Sequence, residues 1–349
     1  MTSIDEIFMS RCVQLARCAM GGTSPNPAVG AVIVCDGRII GEGYHIKAGE
    51  PHAEVNAVRS VKEADRRLLP QSTIYVTLEP CSHYGKTPPC CDLIIECGIR
   101  RVVIGVTDSN KRVNGSGISR MRDAGIEVVV GVLQEQSLRL NRPFFTYHER
   151  QRPFVTLKWA ETADGFIGTG VEGAPLKIST PVSQVAVHKL RAMHDAILVG
   201  TRTALLDNPS LNVRLWAGRS PLRLVIDRFG TLPAGLNLFD GTAPTIVYTS
   251  NAVNGKFGKN IKQVELDFSE NVIPQILSHL YSLRVNSLLV EGGACLLRSF
   301  IESALWDRAR VERNPSMLAG GGVAAPVVPE SLLSEKTVCG GNEIALYAK

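Results

Sequence analysis

The sequence predicts an α/β protein with two domains, and three observations support this fold class. A chain of 349 residues is long enough for about two domains. Helical and strand patterns alternate through the first third of the chain and again through its second half. Between them, a short stretch bracketed by Arg-Pro pairs interrupts the alternation. We therefore expect one domain at residues 1–147 and another at residues 148–349.

The first third predicts a layered sandwich with helices on both sides of one sheet. Asp36-Gly37 is a strong hairpin signal, because both residues tolerate the positive φ of a tight turn. The predicted strands are Ala28–Cys35, Arg38–Gly43, Thr73–Leu78, Arg101–Thr107 and Ile126–Val130. The predicted helices are Ser3–Met20, Ala53–Leu68, Cys90–Cys97 and Ile118–Ala124.

Residues Asn141–Arg152 predict a linker or a strap between the domains. Arg142-Pro143 and Arg152-Pro153 bracket the aromatic and charged stretch FFTYHERQ. Because proline disfavours the continuation of a helix, we place the domain boundary near this stretch.

The second half predicts a largely parallel sheet covered on both faces, since several strands are continuous apolar runs. The predicted strands are Phe154–Ala160, Ala196–Gly200, Arg223–Asp227, Thr245–Thr249 and Ser287–Glu291. The predicted helices are Val182–Met193 and Ala294–Ala304. The tail from Asn314 is rich in Gly, Pro and Ala and indicates no clear element.

Composition narrows the class of protein. Hydrophobic residues make up 44% and charged residues 20%, which excludes a disordered or coiled-coil chain. The net charge of +5 suits an anionic small molecule and does not require nucleic acid. Nine cysteines, an N-terminus without a signal-peptide pattern and the lack of a long apolar run predict a cytoplasmic protein that does not enter a membrane.

The strongest chemical signal is His52-Ala53-Glu54 followed by Pro80-Cys81 and Pro89-Cys90. An imidazole and two thiolates are suitable ligands for Zn²⁺, and three protein ligands leave a fourth position for water. Bound zinc lowers the pKa of that water towards about 7. Glu54 is not needed as a ligand and can transfer protons, as in zinc-dependent base deaminases. Predicted helix starts at His52 and Cys90 favour the thiolate form.

A closed structural zinc site is the alternative. It requires a fourth ligand, for which Cys91 and His83 are the candidates. Cys91 points about 100° away from Cys90 on a helix, so we do not expect it to share the metal. The other cysteines are interpreted as small hydrophobic residues.

The spacing of the two cysteines identifies a family. Eight residues separate them, whereas nucleoside and tRNA deaminases usually have C-x-x-C. The segment PCSHYGKTPPC resembles the deaminase half of the bifunctional riboflavin-biosynthesis deaminase/reductases, as do SPNPAVGAVIV, GEGYH, PHAEVNAV, TLEPC and NGSGISRMRDAGIEV. The resemblance implies a cytidine-deaminase-like three-layer α/β/α domain, with zinc bound by His52, Cys81 and Cys90 and Glu54 as the proton shuttle. Asn26 is implied as a substrate contact, and His83 and Lys86 could meet a substrate phosphate.

The second half lacks the G-x-G-x-x-G motif of a common dinucleotide-binding fold. A predicted strand instead leads into Gly292-Gly293 and then a helix. This arrangement could bind a phosphate at the helix start, but it is equally typical of a tight turn between a strand and a helix. LKWAETADGFIGTG, HKLRAMHDAILVGTRTALLDNPSLNVR, PLRLVID and VEGG resemble the reductase half of the same family in the same order. The resemblance implies a dihydrofolate-reductase-like α/β domain that uses NADPH.

The resemblance also implies contacts for the reductase half. The cofactor contacts are Glu161, Lys177, Thr203, Asp207, Arg228, Gly293, Ala294, Cys295, Leu296, Leu297, Arg298 and Ser299. The substrate contacts are Arg191, Leu211, Arg214 and Glu291. Two arginines are suitable for holding a ribose phosphate, because guanidinium pairs bidentately with phosphate oxygens. The chain departs from the family at Lys177, where many members have tryptophan.

The resemblance implies a homo-oligomeric enzyme of riboflavin biosynthesis with small phosphorylated pyrimidine substrates. One rival is a tRNA-adenosine deaminase, which would show C-x-x-C spacing and a dense basic patch with aromatic residues. The chain has 6% aromatic residues and scattered charge. The other rival is a zinc-binding module without activity, which would have no use for Glu54.

Overall fold

A computed structural model of the chain describes residues 2–84, 88–110, 114–171, 176–253 and 255–349. It divides into two units, Met1–Gln151 and Arg152–Lys349, and each has its own sheet and hydrophobic core. Lys86 lies outside the described residues. Among the described helices, none has both the length and the apolar character needed to cross a membrane.

The first unit is built on a five-stranded sheet in the order β2-β1-β3-β4-β5. Its strands are Gly30–Cys35 (β1), Arg38–Tyr44 (β2), Thr73–Leu78 (β3), Arg101–Val106 (β4) and Glu127–Val130 (β5). The hairpin between β1 and β2 turns at Asp36 and Gly37, with φ of 49° and 74°, as predicted. The strands β3, β4 and β5 run parallel, so their carboxyl ends meet at one edge of the sheet.

Helices cover both faces of this sheet, which confirms the predicted three layers. They are Ile4–Cys18 (α1), Ala53–Ser60 (α2), Cys90–Glu96 (α3), Ser116–Asp123 (α4), Gln134–Leu140 (α5) and Arg142–Arg150 (α6). On one face, α1 places Met9 and Cys12 against Val32 and Tyr75. On the other face, α2 and α3 pack on the alternate residues of the same strands, within a second apolar cluster.

The predicted helix Ala53–Leu68 is interrupted. It ends at Ser60, and a 3₁₀ helix follows at Glu63–Gln71. The Ser60 hydroxyl accepts the Glu42 N–H at 2.8 Å and donates to the Ala57 carbonyl at 2.8 Å. Such local bonds compete with the helical pattern, and here they tie the end of α2 to β2.

The stretch Asn141–Arg152, predicted as a linker or strap, is helical over most of its length, and the two units divide at its end. The segment forms α6, with Pro143 in its first turn, where a missing N–H costs no helical hydrogen bond. The Asn141 side chain exchanges two hydrogen bonds of 2.8 Å with the backbone of Ala28. Phe144 and Phe145 are buried against residues of β3 and β4. The segment is therefore part of the first unit and contributes to its core.

The second unit is built on a nine-stranded sheet in the order β11-β10-β9-β8-β12-β6-β13-β16-β15. The first seven strands in this order, which begin with β11 and end with β13, pair in parallel, and this confirms a largely parallel sheet. The last two strands, β16 and β15, pair antiparallel. The strands are Phe154–Thr162 (β6), Phe166–Gly168 (β7), Ala196–Gly200 (β8), Leu222–Ile226 (β9), Thr245–Thr249 (β10), Ile261–Glu265 (β11), Ser287–Val290 (β12), Arg308–Asn314 (β13), Val323–Ala324 (β14), Leu333–Cys339 (β15) and Asn342–Ala348 (β16).

The helices of the second unit are Pro181–Ala192 (α7), Thr201–Asp207 (α8), Val272–Ser282 (α9) and Ala294–Glu302 (α10). Two separate apolar clusters contain alternate residues of β8, such as Leu198 and Val199. Both faces of the central strands are therefore buried, as continuous apolar runs predict.

Candidate active sites

The structure brings His52, Cys81 and Cys90 together in the first unit. Nδ1 of His52 lies 3.6 Å from Sγ of Cys81 and 3.3 Å from Sγ of Cys90. The three ligand atoms all lie within 4.8 Å of one another. His52 precedes α2, Cys90 begins α3, and Cys81 follows β3 at the carboxyl edge of the parallel strands. The sheet edge and two helix starts thus converge on one point.

This donor set fits a zinc ion. One imidazole nitrogen and two sulfurs match the ligands that zinc prefers, and their separations suit three corners of a tetrahedron. Hydrogen bonding from Cys90 lowers the pKa of Cys81 to about 4, so Cys81 is a thiolate at neutral pH. Within the described ranges, no fourth side chain joins the cluster. Cys91 instead packs in the core under the sheet.

Glu54 is the second residue of α2, and its side chain is buried, with 3% of the residue exposed. Burial raises the pKa of its carboxyl, although His52 and Cys90 counteract this rise. Glu54 lines the same cavity as His52 and Cys81, with a volume of about 200 Å³. A buried carboxyl beside three metal ligands is placed to exchange protons with water or substrate in that cavity.

Asn26 lies in the same cavity, where its amide nitrogen donates to Nε2 of His45 at 3.2 Å. Nδ1 of His45 lies 3.1 Å from the Pro51 carbonyl, which accepts only from a protonated nitrogen. His45 is therefore the Nδ1–H tautomer, and burial lowers its pKa and keeps it neutral. This pair fixes which way the amide of Asn26 faces.

Sequence reasoning missed several residues that line this cavity: His45, Asp108, Asn110 and Phe144. Asp108 and Asn110 follow β4, the parallel neighbour of β3, and ligand crevices form at such strand ends. That rule could have identified them. Burial raises the pKa of Asp108 to about 6. His83 also lines the cavity, on an exposed loop.

In the second unit, most of the predicted contacts line two cavities that share residues. The first has a volume of about 440 Å³ and is lined by Lys177, Thr203, Asp207, Gly293, Leu297, Arg191, Leu211, Arg214 and Glu291 among others. The second has about 410 Å³ and is lined by Thr203, Asp207, Gly293, Ala294, Cys295 and Arg298 among others.

Four predicted contacts lie elsewhere. Glu161 is buried, accepts from Trp159 Nε1–H at 2.9 Å and pairs with Arg313 beside a different cavity. Arg228 is exposed over the rings of two phenylalanines. Leu296 and Ser299, on α10, line neither of the two cavities. The structure does not bring these residues together with the others.

Arg191 and Glu291 form a buried bidentate ion pair with N–O distances of 2.9 and 2.7 Å. Burial pushes the pKa of Glu291 upward, but the Arg191 guanidinium overcomes this effect and holds it at about 2. Glu291 is therefore ionised wherever the protein is folded near neutral pH. The pair places one positive and one negative group in the wall of the larger cavity.

Lys158 and His188 also line the larger cavity and were not predicted. Burial lowers the pKa of Lys158 on β6. Nδ1 of His188 accepts the backbone N–H of Arg214 at 3.1 Å, and burial lowers the pKa of His188 to about 4. The alternation of β6 could have indicated Lys158, since a charged residue inside an apolar strand is unusual.

The Gly292-Gly293 turn makes a close approach to α8. Gly292 has a φ of 135°, and a Cβ built there would lie 2.9 Å from Cγ2 of Thr203. Side chains are therefore excluded at Gly292 by both backbone conformation and space. The turn can present backbone N–H groups at the start of α10 to a phosphate.

Comparisons with known proteins agree with the division into two units. Residues 2–106 match the family described as the cytidine and deoxycytidylate deaminase zinc-binding region. Residues 153–339 match the RibD C-terminal domain. The riboflavin biosynthesis protein RibD of Aquifex aeolicus is 41% identical over 322 residues, covering 91% of this chain and 89% of that protein. The Escherichia coli RibD is 34% identical over 330 residues, covering 90% and 88%.

Solved structures resemble the whole chain as well. A diaminohydroxyphosphoribosylaminopyrimidine deaminase/5-amino-6-(5-phosphoribosylamino)uracil reductase from Thermotoga maritima superposes with a TM-score of 0.90 at 37% identity. That match covers 99% of this chain and 98% of the other. Acinetobacter baumannii RibD has a TM-score of 0.87 at 29% identity over the same shares.

Proposed function

The chain belongs to the family of the riboflavin biosynthesis protein RibD, and from this membership we propose which of its residues carry out the two reactions of a bifunctional deaminase and reductase. The first unit hydrolyses the 2-amino group of 2,5-diamino-6-(5-phosphoribosylamino)pyrimidin-4(3H)-one and releases ammonia. The second unit reduces the ribosyl group of the product to a ribityl group. The observation that carries the proposal is the cluster of His52, Cys81 and Cys90, two of which line the same cavity as Glu54.

In the first unit, His52, Cys81 and Cys90 would hold the zinc ion. Zinc bound there would lower the pKa of a water molecule, so that this water can lose a proton and act as the nucleophile at neutral pH. Glu54 takes a proton from the attacking water and delivers a proton to the leaving amine, so that water and amine become a pyrimidine carbonyl and ammonia. Asn26, fixed by His45, holds the substrate by a hydrogen bond.

In the second unit, bound NADPH would supply a hydride to the ribose C1′, while the C1′–O4′ bond opens and O4′ takes up a proton to give the ribityl group. Thr203, Asp207 and the turn that begins at Gly293 would hold the cofactor, and the N–H groups at the start of α10 suit its phosphates. Arg214 holds the substrate phosphate, and the ion pair of Arg191 and Glu291 orients the ribose.

We assign no role to Glu161, Arg228, Leu296 and Ser299 in this proposal, because they line neither cavity. Lys177 lines the larger cavity, but it lies on an exposed loop and departs from the tryptophan of many family members. The tRNA-adenosine deaminase is not supported, since family membership and the eight-residue cysteine spacing both favour the pyrimidine deaminase. A homo-oligomeric state and a cytoplasmic location stay predictions from the sequence.

The direct test is incubation of the purified protein with the diaminopyrimidinone phosphate, with and without NADPH. We expect one equivalent of ammonia without the cofactor, because hydrolysis needs no reductant. We expect oxidation of NADPH and a ribityl product only when NADPH is present. Supplying the deaminated uracil with NADPH is the control, since it should be reduced without ammonia release. Ammonia release that depends on NADPH would contradict the assignment of the two reactions.

A further inference from the structure

Glu79 is a buried carboxylate that the proposed chemistry does not use. It follows β3, is 3% exposed, and accepts four backbone hydrogen bonds. Its Oε2 accepts the N–H groups of Asp108 at 3.2 Å and Gly115 at 2.9 Å. Its Oε1 accepts those of Gly117 at 3.0 Å and Ile118 at 3.2 Å. Backbone donors therefore stabilise this buried charge without a cation among the described contacts.

Two of these donors belong to the first turn of α4. The residue before α4 is Gly115, which has no side chain to cap the helix. The N–H groups of Gly117 and Ile118 would otherwise lack a partner within the helix. Glu79 supplies the missing acceptor from another element, and its charge suits the positive end of the helix.

The other end of the same segment lies in the deaminase cavity. Asp108 and Asn110 line that cavity together with His52 and Glu54. The Asn110 N–H donates to Oδ1 of Asp108 at 2.7 Å, so the two residues form one wall. Because Glu79 holds the backbone of Asp108 directly, its carboxylate determines where this wall stands.

The segment is packed closely against the chain that leads to the metal ligands. A Cβ built at Gly117 would lie 2.3 Å from the carbonyl oxygen of Pro80. Pro80 directly precedes Cys81, so the start of α4, the Glu79 carboxylate and a zinc ligand are linked within a few bonds. A displacement at Gly117 would be transmitted to both the wall and the carboxylate.

We propose that Glu79 is a positioning residue for deamination, which sets the wall formed by Asp108 and Asn110 opposite His52, Cys81 and Cys90. The proposal rests on the deaminase function proposed above. Glu79 itself also lines the cavity, but both of its carboxylate oxygens accept backbone N–H groups. We therefore assign it to holding the wall within the tolerance that an oriented reaction requires.

The test compares Glu79→Gln with Glu135→Gln, an exposed glutamate of the same unit that pairs with Arg139 four residues away. The glutamine side chain has one accepting oxygen and one NH₂ group, so two of the four backbone N–H groups would face that NH₂ group instead of an acceptor. We expect kcat/KM for deamination to fall at least 10-fold, mainly through a higher KM, with zinc content and the rate of reduction unchanged. Glu79→Asp keeps the charge and should lose less. Glu135→Gln should match the wild type.

Gly117→Ala gives a second measurement, because its Cβ would press on the Pro80 carbonyl and on the Glu79 side chain and displace the start of α4 without removing the carboxylate. It should raise KM in the same direction, and it carries the test if Glu79→Gln does not fold. Its zinc content is measured alongside, since Pro80 precedes Cys81. The proposal is overturned if Glu79→Gln deaminates within twofold of the wild type, or if its activity falls only in proportion to lost zinc. A wild-type protein that releases no ammonia would instead overturn the deaminase function on which this proposal rests.

Discussion

Glu54→Gln is expected to abolish deamination while the protein keeps its zinc. Glutamine has nearly the same shape, but it cannot take a proton from water or pass one to the leaving amine. General acid–base catalysis contributes about 10²- to 10⁴-fold, so we expect a loss of about 10³-fold in kcat. Removal of a buried carboxylate leaves the three ligands His52, Cys81 and Cys90 in place.

The control is Glu63→Gln, since Glu63 is exposed and its pair with Arg66 lies on the surface of the 3₁₀ helix. Metal content, ammonia release and NADPH oxidation are measured on the same preparations. We expect full zinc and normal reduction in both variants. Parallel loss of zinc and of deamination in Glu54→Gln would instead favour a structural role for the carboxylate at the metal site.

Glu291→Gln is expected to destabilise the second unit and to impair reduction. The side chains of Arg191 and Glu291 are only 12% and 8% exposed. Removing one partner of a buried pair leaves the other charge buried without compensation, which costs about 3–5 kcal/mol. All three tryptophans lie in the second unit, so tryptophan fluorescence during urea unfolding reports on this unit. Glu330→Gln, which breaks an exposed pair with Lys336, should change the free energy of unfolding by less than about 1 kcal/mol.

The same variant makes the pH dependence testable. The pKa of Glu291 is about 2 in the folded protein, against an ordinary value of 4.5. Because the folded pKa is lower, the stabilisation is complete above pH 4.5 and is lost as the pH falls towards 2. The difference in unfolding free energy between the wild type and Glu291→Gln should therefore shrink below pH 4.5. A difference that is constant from pH 7 to pH 3 would contradict the ionised pair.

The sequence alone predicted those features that depend on the chemistry of a residue or on its local backbone conformation. The metal ligands were recognisable because few residue types bind zinc and because His52 and Cys90 begin helices. The hairpin at Asp36 was recognisable because few residues adopt its backbone conformation. Apolar strands such as β8 and β10 were found at their observed bounds, since continuous burial leaves a continuous apolar run.

Other features depend on tertiary contacts that a local pattern does not contain. Pro143 looked like a break, but it occupies the one turn of a helix that accepts proline. The strand β15 lies at the edge of the sheet with five consecutive exposed residues, so it has no alternation to detect. Asp108 and Phe144 are far apart in sequence and reach one cavity only through the fold.

The central claim is that one imidazole and two sulfurs bind zinc and leave its fourth position to water. X-ray absorption spectroscopy at the zinc edge of the purified protein measures this directly. We expect two sulfurs at about 2.3 Å and two nitrogen or oxygen atoms at about 2.0–2.1 Å, only one of them from an imidazole. A third sulfur or a second imidazole, from Cys91 or His83, would mean a closed site and would contradict hydrolysis there.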